Sequence, residues 1–163
     1  MCSGADKTFN VMKKFKTLIE RKEVDVIDYV RQYLSSRDNV DILIGCDSQV
    51  KGRQTVYALV LALYTPGKGA HVLYDKFYTP KDREISTRLM NEVWQSINLA
   101  NELKDAGLPK AKYIDIDLNP DPRYKSNEVL RAAVGWAEGL GYSVRHKGDS
   151  PVMTYCADHL VKS

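Results

Sequence analysis

DILIGCDSQV, residues 41–50, is a short apolar run that ends in polar side chains. Apolar residues without alternation over so short a length suit a buried central strand covered on both faces. Its carboxyl end carries Asp47. A carboxylate there is costly unless it is hydrogen-bonded, paired or bound to a cation. Asp47 taken alone also fits a turn former or a salt-bridge partner.

Outward from this strand, Gly52 and Arg53 make a turn, and TVYALVLALY at 55–64 is a second strand. TPGKG at 65–69 is a strong turn signal. HVLYDKFY at 71–78 alternates as a half-buried edge strand does. Three strands joined by short turns read as an antiparallel meander. Thr79-Pro80 reads as an N-cap with proline at the first helical position. That helix is expected to run to about Lys104 and to stop at Gly107. KYIDIDL at 112–118 is a fourth strand, and 119–125, with two prolines, is a loop. Ser126 caps a helix ending near Gly139 and Gly141. Residues 142–147 are a fifth strand, and Ser150-Pro151 opens a final helix. On the amino-terminal side, Val11, Phe15, Leu18 and Ile19, then Val26, Ile27, Val30 and Leu34, follow helical spacing. Residues 11–34 therefore read as one or two helices outside the sheet.

The pattern is α/β, a mixed sheet with helices on its faces. Right-handed crossovers put the fourth and fifth strands beside the first and parallel to it. The carboxyl ends of the first and fourth strands then lie side by side, where ligands bind in such sheets. Residues 1–163 read as a single domain, with 41–162 as the core and 11–35 as a helical extension.

Composition narrows the function classes only mildly. The 163 residues are 44% hydrophobic and 28% charged, so disorder is not expected. A net charge of +3 does not mark a nucleic-acid binder, although it allows one if basic residues cluster. Cys2, Cys46 and Cys156 form no CxxC pair, which points to a reduced, cytoplasmic protein with Cys46 and Cys156 buried. The first ten residues lack the apolar core of a signal peptide. No apolar stretch reaches the ~18 residues of a membrane span.

The acids carry the chemistry. Asp47 and the Asp115–Asp117 pair stand on two neighbouring strands, which suggests a divalent-cation site, and oxygen ligands favour Mg²⁺ or Mn²⁺. Asp115 and Asp117 share a face because a strand has period two. Asp117, nearer the carboxyl end, is the better ligand. Asp115 either assists or contacts the helix above. DIDLNPD is a poor calcium loop, with Pro120 where glycine is needed and Ser126 where glutamate is needed. On the long helix, Ile85, Leu89, Ser96, Ala100 and Leu103 define an inward arc that contains Glu92. Glu84 and Glu102 fall on the opposite flank with Arg88, Asn91 and Gln95. In the final helix Asp158 lies away from the Val152, Cys156 and Leu160 face.

Four segments carry a resemblance: IGCDSQ (44–49), RLMNEVWQSINLA (88–100), YIDIDL (113–118) and TYCADHLVK (154–162). Over roughly residues 12–162 the chain resembles the YkuK-like family of ribonuclease-H-like proteins. The resemblance implies a ribonuclease-H-like five-stranded sheet of order 3-2-1-4-5, strand 2 antiparallel, with helices on both faces. It implies a catalytic and metal-binding set of Asp47, Glu92, Asp117 and Asp158. Two Mg²⁺ or Mn²⁺ ions held there would serve phosphodiester hydrolysis in a nucleic acid. Asp115, Glu84 and His159 are auxiliary candidates. Glu84 is one because it sits nearer the helix start, where ribonuclease H has its acid. Lys51, Arg53, Arg123, Lys125, Arg145 and Lys147 are candidate phosphate contacts. Gly148 stands where the resemblance leads one to expect proline. The rival reading is a non-catalytic module of the same fold that binds nucleic acid or a protein. A phosphatase or nucleotidyl transferase has less support, since no P-loop is present.

Overall fold

The computed structural model describes residues 13–116, 126–146 and 161. Its elements are β1 (Lys14–Thr17), β2 (Glu23–Asp25), α1 (Val26–Ser35), β3 (Asp41–Lys51), β4 (Gln54–Thr65), β5 (Gly69–Pro80), α2 (Ile85–Asp105), β6 (Tyr113–Ile116), α3 (Ser126–Gly139) and β7 (Val144–His146). All seven strands join one sheet of order β2-β1-β5-β4-β3-β6-β7. Its β5-β4-β3-β6-β7 portion is the 3-2-1-4-5 arrangement. β3 and β4 pair antiparallel, as do β4 and β5, while β3–β6 and β6–β7 are parallel.

The meander forms because its sequence is apolar on both faces. Val56 to Leu63 in β4 are all buried. Side chains alternate across a strand, so one face carries Ile42, Ile44, Cys46, Leu59, Leu61 and Leu63, packed against α1, α2 and α3. The other carries Leu43, Val56, Ala58, Val60 and Ala62, with Val161 buried among them. Cys46 is a buried free thiol, whereas Cys2 and Cys156 lie outside the described residues.

Three sequence expectations are corrected. Residues 14–25 do not belong to a helix but to a hairpin, β1 paired with β2, with Arg21 at φ 57° in the turn. Lys14, Phe15, Lys16 and Thr17 alternate between exposed and buried, a period as good as the helical one over four residues. Strand pairing wins because β5 would otherwise leave its outer backbone groups unpaired. Lys16 and Thr17 pair with Tyr74 and Leu73, and the Leu18 N–H donates to the Val72 carbonyl at 2.9 Å. For the same reason β5 is not an edge strand. Thr79-Pro80, finally, closes β5 instead of opening a helix. The β4–β5 ladder runs on to Gln54 and Pro80, at an end of β5 that β1, paired only with Leu73 and Tyr74, does not flank, so that a missing N–H there is tolerated as on an edge strand. The Asp82 N–H then donates to Thr55 Oγ1 at 2.9 Å, and α2 begins only at Ile85.

The helix ends follow their glycines. Gly107 has φ 82°, with the Leu108 N–H donating to the Leu103 carbonyl and the Gly107 N–H to the Lys104 carbonyl, both at 3.0 Å. This is the paired closure that a left-handed residue permits after a helix. Gly141, at φ 90°, repeats it after α3. Among the described residues, no helix is long and apolar enough to cross a membrane.

α1 docks on β5 through rings. Tyr29 Oη lies 2.5 Å from His71 Nε2, and His71 stacks on Tyr29 and Tyr33 at 5.5 and 5.3 Å. Burial, and then the Arg37 charge, hold the imidazole below its ordinary value of 6.5. The folded chain therefore keeps His71 neutral where the unfolded chain is already taking up a proton. Stability is intact above about pH 6.5 and is lost as pH falls from there toward the depressed folded value. Urea unfolding at pH 7.5 and 5.5 should show a steeper loss in the native chain than in His71→Gln. The difference is bounded by about 1.4 kcal/mol per pH unit for one proton. Equal slopes would show that this histidine does not carry the effect.

Candidate carboxylate site

The site sits at the carboxyl end of β3. Asp47 is half-buried there and pairs across the ladder with Ala58, which pairs with Lys76. Residues directly opposite in a ladder share a face, so Asp47, Ala58 and Lys76 form one row on the Val161 face. The Ser48 N–H donates to Asp47 Oδ1 at 2.9 Å and fixes that carboxylate.

The next residue points the other way. Ser48 Oγ donates to Glu92 Oε2 at 2.5 Å, and Arg88 Nη1 donates to Ser48 Oγ at 3.4 Å. Glu92 is 6% exposed, turned toward the sheet as its position on the helical wheel predicts. Glu84 is exposed and occupies the N-cap of α2 without a side-chain cap bond. Two wheel assignments fail. Ile85, placed on the inward arc, is 44% exposed. Arg88, placed on the solvated flank, reaches Ser48. Both lie in the first turn of α2, where packing on the end of β3 outweighs average periodicity. Burial raises the Cys46 thiol well above its ordinary value, with Glu92, Asp47 and Asp75 adding to the effect.

The register of β6 brings in the second strand. Leu43, Ile44 and Gly45 pair in parallel with Tyr113, Ile114 and Asp115. Counting two residues on from the Gly45–Asp115 pair reaches Asp47 in one chain segment and Asp117 in the other. Asp117 itself lies outside the described residues, as do Arg123, Lys125, Lys147, Asp158 and His159.

Asp115 and Arg145 are partners. Arg145 Nε and Nη2 donate to the two oxygens of the buried Asp115 at 2.9 and 3.1 Å, and the guanidinium lies 4.3 Å from the Tyr113 ring centroid. Arg145 is therefore committed to the protein and not to a phosphate. Among the described residues the partner of Asp115 is thus an arginine on the neighbouring strand.

Among the basic candidates, Lys51 and Arg53 flank the β3–β4 turn, and Arg53 is exposed. Sequence reasoning missed Lys81 and Arg83, both exposed. The Lys81 N–H donates to the Arg53 carbonyl at 3.1 Å, so the four basic residues gather at one rim. Their signal, PKDRE, was absorbed into a helix start. Beside them a groove of about 530 Å³ is lined by Tyr57, Pro80, Met90, Asn91, Trp94 and Trp136.

A family model described as ribonuclease H-like matches residues 24–162. The chain belongs to this ribonuclease-H-like family. A search of curated proteins found no match. Among solved structures, the chain is similar to RNase H1 from the halophilic archaeon Halobacterium salinarum NRC-1. The two are 14% identical with a TM-score of 0.44, over 74% of this chain and 93% of the other. Membership of the ribonuclease-H-like family supports a nucleic-acid-related role for the chain. Whether the rim suits a metal turns on its donors. The described residues contain no group of three or more potential ligands. At the β3 end they place the oxygens of Asp47 on one face and those of Ser48 and Glu92 on the other, with Lys76 in the row of Asp47; carboxylate oxygens are the donors that hard divalent cations take.

Proposed function

We propose that the chain is a divalent-metal-dependent nuclease that hydrolyses phosphodiesters of a nucleic acid. Asp47 and Asp117 are its principal metal ligands, with Asp158 as a third, while Glu92, bound to Ser48 on the opposite face of β3, braces the strand end that carries Asp47. The observation that carries this reading is the parallel β3–β6 register, from which Asp47 and Asp117 are each two residues downstream of a paired position. Two carboxylates held close together repel and are costly without a cation. Asp158 precedes Val161 by three residues, and Val161 is buried on the face that carries Asp47.

Bound Mg²⁺ or Mn²⁺ would supply a water of lowered pKa and Lewis-acid stabilisation of the leaving oxygen. The chain's own residues do the positioning. The Ser48 N–H orients the Asp47 carboxylate, while its hydroxyl anchors Glu92 from the other face. Lys51, Arg53, Lys81 and Arg83 meet backbone phosphates without reading sequence. Trp94 and Trp136 offer ring faces on which unpaired bases stack.

The test is metal-dependent cleavage. With Mn²⁺ or Mg²⁺, purified protein should cut at least one of labelled DNA, RNA, hybrid or branched duplex, and EDTA should stop it. Manganese should also bind in calorimetry. Failure to cut any of these substrates would overturn the nuclease reading in favour of a non-catalytic module.

A further inference from the structure

The opposite rim of the sheet carries a second concave surface. A groove of about 1080 Å³ is lined by Tyr33, Arg37, Asp41, Lys68, His71 and Lys112, among others. Asp41 is the first residue of β3 and Asp47 the seventh, so the groove lies about 20 Å from the carboxylate site at ~3.3 Å per strand residue. The volume suits a small-molecule ligand.

Its charge is set by what is already paired. Lys112 Nζ lies 3.1 Å from Asp41 Oδ2, which cancels that pair. Arg37 and Lys68 remain against Asp38, and neither has an ion-pair partner among the described residues. Arg37 is held in place before any ligand arrives. Its guanidinium lies 3.9 Å from the Tyr33 ring centroid. Nη1 donates to the Tyr33 carbonyl at 3.2 Å and to Ser36 Oγ at 3.3 Å. Those two bonds use the two hydrogens of Nη1. The Nε–Nη2 edge, the one that grips an oxyanion with two parallel bonds, makes no hydrogen bond among the described residues. Stacking and two hydrogen bonds, one to a backbone carbonyl and one to a serine hydroxyl, already restrain the side chain, so less rotamer entropy is left to lose on binding. Lys68, exposed in the turn between β4 and β5, supplies a second cation at the same groove.

We propose that this groove is a binding site for a small phosphate-bearing anion. The Nε–Nη2 edge of Arg37 grips the phosphate, and Lys68 closes on it. His71 stands beside the bound group. The site is independent of the carboxylate rim and of any nuclease activity.

The experiment is titration calorimetry in EDTA, which silences metal-dependent binding at the far rim, with inorganic phosphate, adenosine monophosphate and adenosine as probes. At least one phosphate-bearing probe should bind, and adenosine at least about tenfold more weakly, a charge-assisted bidentate contact being worth that much. A monophosphate that binds more tightly than inorganic phosphate assigns the groove to a nucleotide. Equal affinities assign it to the free anion. Arg37→Met should weaken binding about tenfold in a chain whose circular dichroism shows it still folded, and Lys68→Met should weaken it less. The His71 ring resonance, assigned with His71→Gln, should move on saturation in the native chain. The proposal fails if neither phosphate probe binds, if adenosine binds as well as its monophosphate, or if Arg37→Met binds unchanged.

Discussion

Asp47→Asn is expected to remove metal-dependent cleavage by about three orders of magnitude while leaving the fold intact. Metal-held charge stabilisation is worth several kcal/mol, and each 1.36 kcal/mol is about a tenfold change in rate. The substitution keeps shape and keeps the acceptor for the Ser48 N–H, which donates to Oδ1 at 2.9 Å. Only the negative charge is lost. Manganese affinity in calorimetry should fall with the rate, and the melting temperature should not fall. Asp41→Asn is the control. It removes a carboxylate from the other end of the same strand, where its partner is Lys112, and should leave cleavage unchanged. Cleavage undiminished in Asp47→Asn would remove Asp47 from the reaction, and with it the β3–β6 register argument.

Where sequence reading succeeded and failed follows from how far apart the deciding contacts lie. Residues 41–78 were legible because each strand-length run is largely apolar and the turns between them carry glycines at φ 60°, 81° and 100°. Both features are local. Asp47 stood out because a charge at the end of such a run demands an explanation. The hairpin at 14–25 was not legible. Its four-residue strand fits either period, and what decides is the open edge of β5, nearly sixty residues on. Arg88 failed for a related reason, since its partner Ser48 is forty residues away. The Ser48–Glu92 bond combines both cases. The wheel turns Glu92 inward, but only the docking of α2 on β3 shows that a serine meets it. Lys76 carries a signal that was available, a lysine inside an alternating apolar strand. Its row with Asp47 becomes visible only once two ladder registers are known.

The Asp115–Arg145 pair shows how a carboxylate near this site can be structural, and its removal is expected to have the largest effect on stability. Asp115 is 5% exposed and held by two bonds of 2.9 and 3.1 Å from Arg145. Arg145→Met leaves a buried carboxylate without that partner, which should cost about 3–5 kcal/mol in urea unfolding. Loss of the stacking on Tyr113 adds to this. Asp115→Asn should cost less, since the amide oxygen still accepts from the guanidinium, whose charge is partly in solvent. Asp115→Leu combined with Arg145→Met removes both charges and should recover most of the loss, because an apolar pair of similar volume needs no compensation. The cycle separates the pair from the site it adjoins. A double variant as unstable as Arg145→Met alone would mean that β6 and β7 depend on Arg145 for something other than this carboxylate. If the double variant regains stability and also retains metal-dependent cleavage, Asp115 is no ligand. The charge needed at the rim then comes from Asp47 and from acids beyond β6.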